Sequence, residues 1–478
     1  MVDKDVTISQ LVLQNDLLRS QVLVLEQTIA QLGREVRQLQ ADNQQLKDQV
    51  ARLKRDSSNS SKPPSSDIVK PKNESPQGKR KRTIGGQEGH PRHERLPFAP
   101  EDVDRTIQHE LSVAQSKGLV PLDDWFVLQQ VDLADKLYVV TEHHARKYLN
   151  PRTGRIVMAP LPEAVKAAGL VGPRLSALAA YQKGACHMSY STIQGFWHDV
   201  LGIPISRSQL VNVVQKASAA FAQPYTELRE ALVQEPYLGV DESGHADCGE
   251  SFWTWCFRAS KFTVFHIDRS RGSQVLKAIL TETFGGILGS DYFSAYHKYM
   301  SDCGVLVQFC WAHLIREIRF LAEQTAAVLK AWGQKLLGWV QKLFETWHRA
   351  MHMTQAGFVR SMDRIRRGFL KAVRRPPGYA EAQTLAERFR GRQADNYFRF
   401  ITTPGIEPTN NQTEQAIRHI VIDRHITQGT RGSRGQRWCE RVWTVIATCR
   451  QQNRRVFQFL CDAINAHLRQ EPVPSLLP

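Results

Sequence analysis

The chain has 478 residues, which at about one domain per 150 residues suggests roughly three domains. Charged residues make up 23% and apolar residues 42%, a composition that excludes a wholly disordered or collagen-like chain. The 63 Lys and Arg against 47 Asp and Glu leave +16, and such a balance favours a polyanionic partner, nucleic acid first.

The N-terminal segment carries the clearest pattern. Leu11, Leu18, Leu25, Leu32, Leu39, Leu46 and Leu53 recur every seven residues, and three residues before each stand Ile8, Asn15, Val22, Ile29, Val36, Asn43 and Val50. Leu at d with β-branched residues at a predicts a parallel two-stranded coiled coil, its Asn pairs fixing the register. A homo-dimer or higher oligomer is therefore expected. The following SSNSSKPPSSDIVKPKNESPQ cannot build a core and reads as a linker. It leads into Lys79, Arg80, Lys81 and Arg82, followed by Gly85 and Gly86. That run suits contact with DNA phosphates and equally suits a solvated linker.

Residues 101–160 read as a small module with a strand at Lys136–Thr141. Residues 161–233 read as helical. A helix start at Ser206 or Ser208 permits a helix-turn-helix or an ordinary helical pair. From residue 234 the period changes to strands at Tyr237–Asp241, Phe252–Phe257 and Phe262–Ile267, a helix from Ser273 to Thr283, and strands at Gly286–Asp291 and Val305–Phe309. Three antiparallel-type strands, a helix and two further strands follow the order of a ribonuclease-H-like sheet. Residues 314–400 are helical and rich in Leu, Trp and Arg, and Pro404-Gly405 breaks that run.

Two of these strands end in an acid, Asp241 and Asp291. Strand ends in open α/β sheets point side chains into the crevice where ligands bind. Carboxylates gathered there repel unless a cation bridges them, and an all-oxygen set suits Mg2+ or Mn2+. A third acid, Glu414, opens a helix after the polar run Thr409–Thr413. Two metals would support an in-line phosphoryl displacement. Beyond Glu414, residues 415–455 hold nine arginines against two acids. Within them Arg431, Arg434 and Arg437 form a Gly-rich basic loop, expected beside the acidic crevice and suited to phosphate. The eight cysteines all follow residue 185 and include no Cys-x-x-Cys pair, so no disulfide framework or thiolate zinc site is read. The first residues show no basic segment followed by an apolar run, and no stretch of about 18 apolar residues occurs. A cytoplasmic, nucleoid-associated location without membrane contact is expected.

Several blocks, taken together, resemble the insertion-sequence-sixty-six class of bacterial DDE transposases. They are Asn59–Asp67, Gly85–His90, Val240–Ser243, Gly289–Tyr296, Cys310-Trp-Ala-His313, and Asn410-Asn411 through Glu414–Arg418. The resemblance runs along most of the chain in family order. It implies a DDE active site of Asp241, Asp291 and Glu414 that binds Mg2+ or Mn2+, on a ribonuclease-H-like fold with a helical insertion. It also implies DNA as partner, both terminal inverted repeats and target, and leaves room for accessory proteins of the same element. Asn410, Asn411 and Arg418 flank the glutamate, and Arg418 joins Lys79–Arg82, Arg431, Arg434 and Arg437 as candidate DNA contacts. Cys310 and His313 make an incomplete metal site, better read as a packed thiol and a His bonded to backbone. The family's cysteine zinc module is absent: Asn150 and Thr153 stand where thiolates would be, so no zinc is expected.

The organisation expected is an α/β chain with a ribonuclease-H-like mixed sheet flanked by helices, preceded by a long coiled-coil helix and small DNA-binding modules. The segments are a zipper at 1–57, a basic linker at 58–100, a degenerate zinc-ribbon-like module at 101–160 and a helical DNA-binding module at 161–233. The catalytic core takes 234–322 and 401–455, interrupted by a helical insertion at 323–400, and a C-terminal helix and tail take 456–478. The expected activity is metal-dependent cleavage and transfer of DNA strands at the ends of a mobile element. Competing readings are a catalytically inactive DNA-binding relative and a nuclease without strand transfer.

Overall fold

The computed structural model describes residues 2–53 and 97–478, apart from Ser116, Gly118, Val120, Pro121, Leu122, Asp124 and Asp135. The basic run Lys79–Arg82 and most of the linker at 58–100 lie outside the described residues. The chain divides into two compact units, Met1–Pro71 with Pro162–Gln194 and Ser206–Pro478, and Lys72–Leu161 with Gly195–Ile205. No described helix is long and apolar enough to cross a membrane.

Helix α1 (Val2–Leu53) is 52 residues long, about 78 Å at 1.5 Å per residue. Its heptad side chains Leu18, Val22, Leu25, Ile29, Leu32, Val36, Leu39, Leu46 and Val50 are all exposed. In the second unit, β1 (Lys147–Leu149) and β2 (Ile156–Met158) form an antiparallel hairpin. Lys136–Thr141, expected as a strand, forms no ladder; its β-branched residues Val139 and Val140 are exposed and have no sheet to join. The hairpin turn is organised by Asn150, whose side-chain oxygen accepts the amides of Arg152 (3.0 Å) and Thr153 (3.2 Å). This is an Asx-type turn held by the protein's own oxygen.

The first unit continues with α2 (Glu163–Ala168), α3 (Pro173–Gly184), α4 (Tyr190–Asp199), whose second half is assigned to the second unit, α5 (Arg207–Ala220) and α6 (Ala222–Ala231). Ser206 caps α5 in a capping box with Gln209, the start signal legible in the sequence. Then come β3 (Tyr237–Asp247), β4 (Glu250–Arg258), β5 (Thr263–Asp268), α7 (Ser273–Leu280), β6 (Ile287–Ser290), α8 (Ser294–Cys303) and β7 (Leu306–Phe309). The five strands make one mixed sheet in the order β5-β4-β3-β6-β7. β3, β4 and β5 pair antiparallel, while β6 and β7 add on in parallel. The first strand does not end at Asp241, as its sequence suggested, but runs on to Asp247, because its far half pairs with β4 through Asp247↔Glu250.

Helices α9 (Trp311–Ala322), α10 (Ala327–His348), α11 (Gln355–Val373) and α12 (Ala380–Glu387) follow β7, and α13 (Asn411–Thr427), α14 (Ser433–Gln451) and α15 (Val456–Leu468) close the chain. Both sheet edges are covered by the chain's own polar groups. Along β5, the amides of Thr263, Phe265 and Ile267 donate to Thr448 Oγ1 (3.2 Å), Thr444 Oγ1 (3.0 Å) and Glu440 Oε1 (2.8 Å). These acceptors stand four residues apart, on one face of α14, and meet every second residue of the strand. Along β7, Arg399 Nε donates to Val307 O and the Phe400 amide to Gln308 Oε1. Edges left open invite pairing with other chains; on β5 three amides are answered in this way, and on β7 one carbonyl is. Replacing Thr444 by Val keeps the shape and leaves the buried Phe265 N–H unpaired. It is expected to cost about 1–3 kcal/mol in thermal or denaturant melts, whereas Thr444→Ser retains most of the stability.

Candidate functional site

Gly239 lies two residues before Asp241 on β3 and faces the same side. An added Cβ there would lie 2.1 Å from Thr413 Oγ1 and 2.9 Å from Asn410 Oδ1. The start of α13 therefore sits directly on the strand backbone. Asn410 fixes it: its Nδ2 donates to Val240 O at 2.9 Å, and its amide donates to Cys310 Sγ at 3.1 Å. Glu414 lies in the first turn of α13, where a negative charge suits the helix dipole. This docking carries Glu414 to β3. Asp241 stands just past Gly239↔Gly289, the last pair of the parallel β3–β6 ladder, and Asp291 directly follows β6. The three acids thus line the notch where β3 and β6 diverge.

Electrostatics tie them together. Burial holds the Asp241 carboxyl well above the usual carboxylate range, and the charges of Glu242, Asp291 and Glu414 raise it further. Burial pushes Asp291 up to about 7, with Glu242 and Glu414 adding to the rise and the Phe293 amide and Arg271 opposing it. Glu414 is raised by burial against the pull of Arg316 and Arg418. Crowded, desolvated carboxylates of this kind resist full ionisation unless a cation joins them. Glu414 Oε1 and Asn410 Oδ1 are buried without a hydrogen-bond partner, so the notch holds oxygen donors in want of a positive charge. Carboxylate oxygens are the ligand type of a hard divalent cation, although Asp241, Asp291 and Glu414 do not bring one oxygen each within 4.8 Å of one another.

Sequence reasoning missed the support around these acids. Glu242, its side chain only 1% exposed, takes Arg271 Nε (2.9 Å) and Nη2 (2.8 Å) on Oε1 and the Tyr296 hydroxyl (2.5 Å) on Oε2. Arg271 is in turn held over Trp253 and Phe293, 4.5 and 3.9 Å from the ring centres. No local signal marks this set, because its members come from β3, the β5–α7 turn and α8.

His313 departs from its expected bond to backbone. Its Nδ1 faces Glu414 Oε1 at 3.7 Å and has no hydrogen-bond partner, while Arg316 Nη2 approaches Oε2 at 3.7 Å. Burial and Arg316 push His313 down to about 4, so it is neutral at pH 7. Cys310, His313 and Glu414 are the one set among the described residues whose potential ligand atoms all lie within 4.8 Å of one another. The Cys310 thiol is pushed up to about 11 by burial and already accepts the Asn410 amide, so it is a poor ligand for a hard cation.

The candidate DNA-contacting arginines separate. Arg418 is exposed one turn beyond Glu414. Arg431, Arg434 and Arg437, expected beside the acids, lie at the other end of β3. There the Gly432 amide donates to Asp247 Oδ1 (2.7 Å) and Cys248 N to Thr430 O (3.0 Å). Asp247 is six residues from Asp241 along the strand, about 20 Å at 3.3 Å per residue. The cause is α13, whose 17 residues run alongside β3 and carry the chain away. Only Arg431 is in a loop; Gly432 at φ 84° starts α14, and Arg434 and Arg437 ride on its exposed side.

These features define a mixed α/β protein with a carboxylate-lined notch built from a sheet and one crossing helix. The Transposase IS66 family profile matches residues 168–437, more than half of the chain, and the chain belongs to that family. Residues 6–96 match a second family, a family of unknown function (DUF6444). No curated protein matches the chain. Family membership makes it a DNA-transferring enzyme.

Two tests address the notch. Gly239→Ala is expected to cost about 1–3 kcal/mol through overpacking and to lower activity, while adding Thr413→Ala recovers part of both; melts and activity of the three proteins check this. The raised Asp291 favours the protonated carboxyl in the folded state, so its stabilising contribution is complete below the unfolded value near 4 and is lost as pH rises through about 7. In metal-free protein the melting temperature of Asp291→Asn should therefore gain on that of the parent between pH 4 and 7, a gain that saturating Mg2+ removes.

Proposed function

We propose that this chain is a DDE-type transposase that cleaves and joins DNA strands at the ends of a mobile element, with Asp241, Asp291 and Glu414 as its catalytic acids. The observation that carries the reading is the shared electrostatic burden of these acids at one notch. The sheet order, three antiparallel strands extended by two parallel ones, supports a ribonuclease-H-like core. The helices between β7 and α13 then form an insertion before the last acid.

In this reading Asp241, Asp291 and Glu414 hold divalent cations, Mg2+ or Mn2+. Bound there, such ions activate an oxygen nucleophile and stabilise the leaving oxygen in an in-line phosphoryl displacement. The protein's own groups do the positioning. Glu242, fixed by Arg271 and Tyr296, stiffens β3 beside Asp241. Arg316 and neutral His313 orient Glu414, and Asn410 pins its helix. Arg418 stands where a DNA phosphate near the notch would meet a guanidinium. Arg431, Arg434 and Arg437 serve DNA further along β3. The Asn150 turn supports a second-unit module that holds its hairpin without zinc.

Asp241→Asn should abolish Mg2+-dependent cleavage of terminal-repeat DNA, a fall of about 10²–10³-fold or more by the scale of a lost electrostatic group at a reacting centre. DNA binding should persist. Undiminished cleavage would remove Asp241 from the mechanism.

The exposed heptad stripe of α1 supports pairing of two copies, since nine apolar a and d side chains in register are the surface a parallel coiled coil buries. Leu25→Glu with Leu32→Glu should convert a sedimenting dimer to monomer.

A further inference from the structure

Helix α11 and the two residues that follow it hold seven cations and one acid, Asp363. One face is buried through Phe358, Met362, Ile365, Phe369, Ala372 and Val373. Elsewhere on the helix Arg360, Arg364, Arg367, Lys371 and Arg374 are all exposed. Their spacing of four, three, four and three residues places them in one straight row, about 21 Å long at 1.5 Å per residue. None forms an ion pair among the described residues. Like charges at this spacing destabilise a helix, so the row is not there for the fold.

A second observation lies on the helix's neighbouring side. Arg366, Arg374 and Arg390 line a cavity of about 360 Å³ with Leu370, Pro376, Phe389 and Gly391. Arg366 gives one nitrogen to Asp395 at 2.5 Å, but its buried Nε has no partner. Arg390 already approaches Glu387 at 3.6 Å, so Arg374 and the unanswered Arg366 Nε are what the cavity offers an anion.

We propose that the α11 row and this cavity form a docking surface for the phosphate backbone of target DNA. A cation once per turn matches the regular spacing of phosphates, which carry no sequence information. Terminal repeats have to be recognised by sequence, whereas a target duplex does not. The surface uses the DNA substrate assigned under the proposed function but not the three acids, so the two stand or fall separately.

The test is binding of the full-length protein to a random-sequence duplex and to a duplex carrying the element's terminal repeats, in EDTA and over a salt series. For Arg364→Gln/Arg367→Gln/Lys371→Gln, affinity for the random duplex should fall roughly tenfold or more at 0.1 M salt, with the log–log salt slope smaller by about 2–3. Terminal-repeat binding at high salt should hold. Arg364→Lys/Arg367→Lys should bind as the parent does, which separates lost charge from lost fold. A charge-matched control on α10, Lys330→Gln/Lys335→Gln/Lys342→Gln, should leave the random-duplex slope unchanged. Parental binding by the α11 triple variant would overturn the proposal. So would an equal loss in the α10 control, or an equal loss on both duplexes.

Discussion

The contact between the first turn of α13 and the bare backbone of β3 at Gly239 is the constraint on which the rest of this molecule turns. A side chain of any size at that position would meet Thr413 and Asn410 at less than van der Waals distance. Without the close approach, Glu414 would stand away from the strand and the notch would hold two acids rather than three. The same contact sets the path of α13 along β3, with Arg424 reaching Ser243 (3.1 Å) and Thr430 reaching Asp247 (2.6 Å). One docking event therefore places both the acid at one end and the basic segment at the other.

Holding desolvated carboxylates together is unfavourable, and the fold counters it from outside the notch. Arg271 and Tyr296 hold Glu242, Arg316 approaches Glu414, and backbone amides of Glu242 and Phe293 donate to Asp241 and Asp291 at 2.9 and 3.0 Å. None of these removes the repulsion among Asp241, Asp291 and Glu414 themselves. Glu414 Oε1 and Asn410 Oδ1 remain buried there without a hydrogen-bond partner.

Legibility in the sequence followed the range of the interactions involved. Four of the five strands and α7 were readable to within a few residues, because each rests on local alternation bounded by turn residues; β3 ran six residues past its expected end at Asp241. Asp291 was readable as an acid ending a short apolar strand, and Ser206 as a helix cap. Glu414 was readable as an acid opening a helix after a polar run, but no local pattern says that α13 lies on β3. Gly239 looked like any strand glycine. The threonines of α14 gave no hint of their bonds to β5, and Arg271 gave none of its bond to Glu242. Nearness in sequence misplaced Arg431, Arg434 and Arg437: a single long helix separates them from Glu414.

Diffraction from crystals grown with Mn2+, recorded at the manganese edge, tests the central claim most directly. The account predicts anomalous density in the notch, in contact with oxygens of Asp241, Asp291 and Glu414, and its loss from those positions in Glu414→Gln. Manganese bound elsewhere with none in the notch, or a Glu414 turned away from β3, would contradict it.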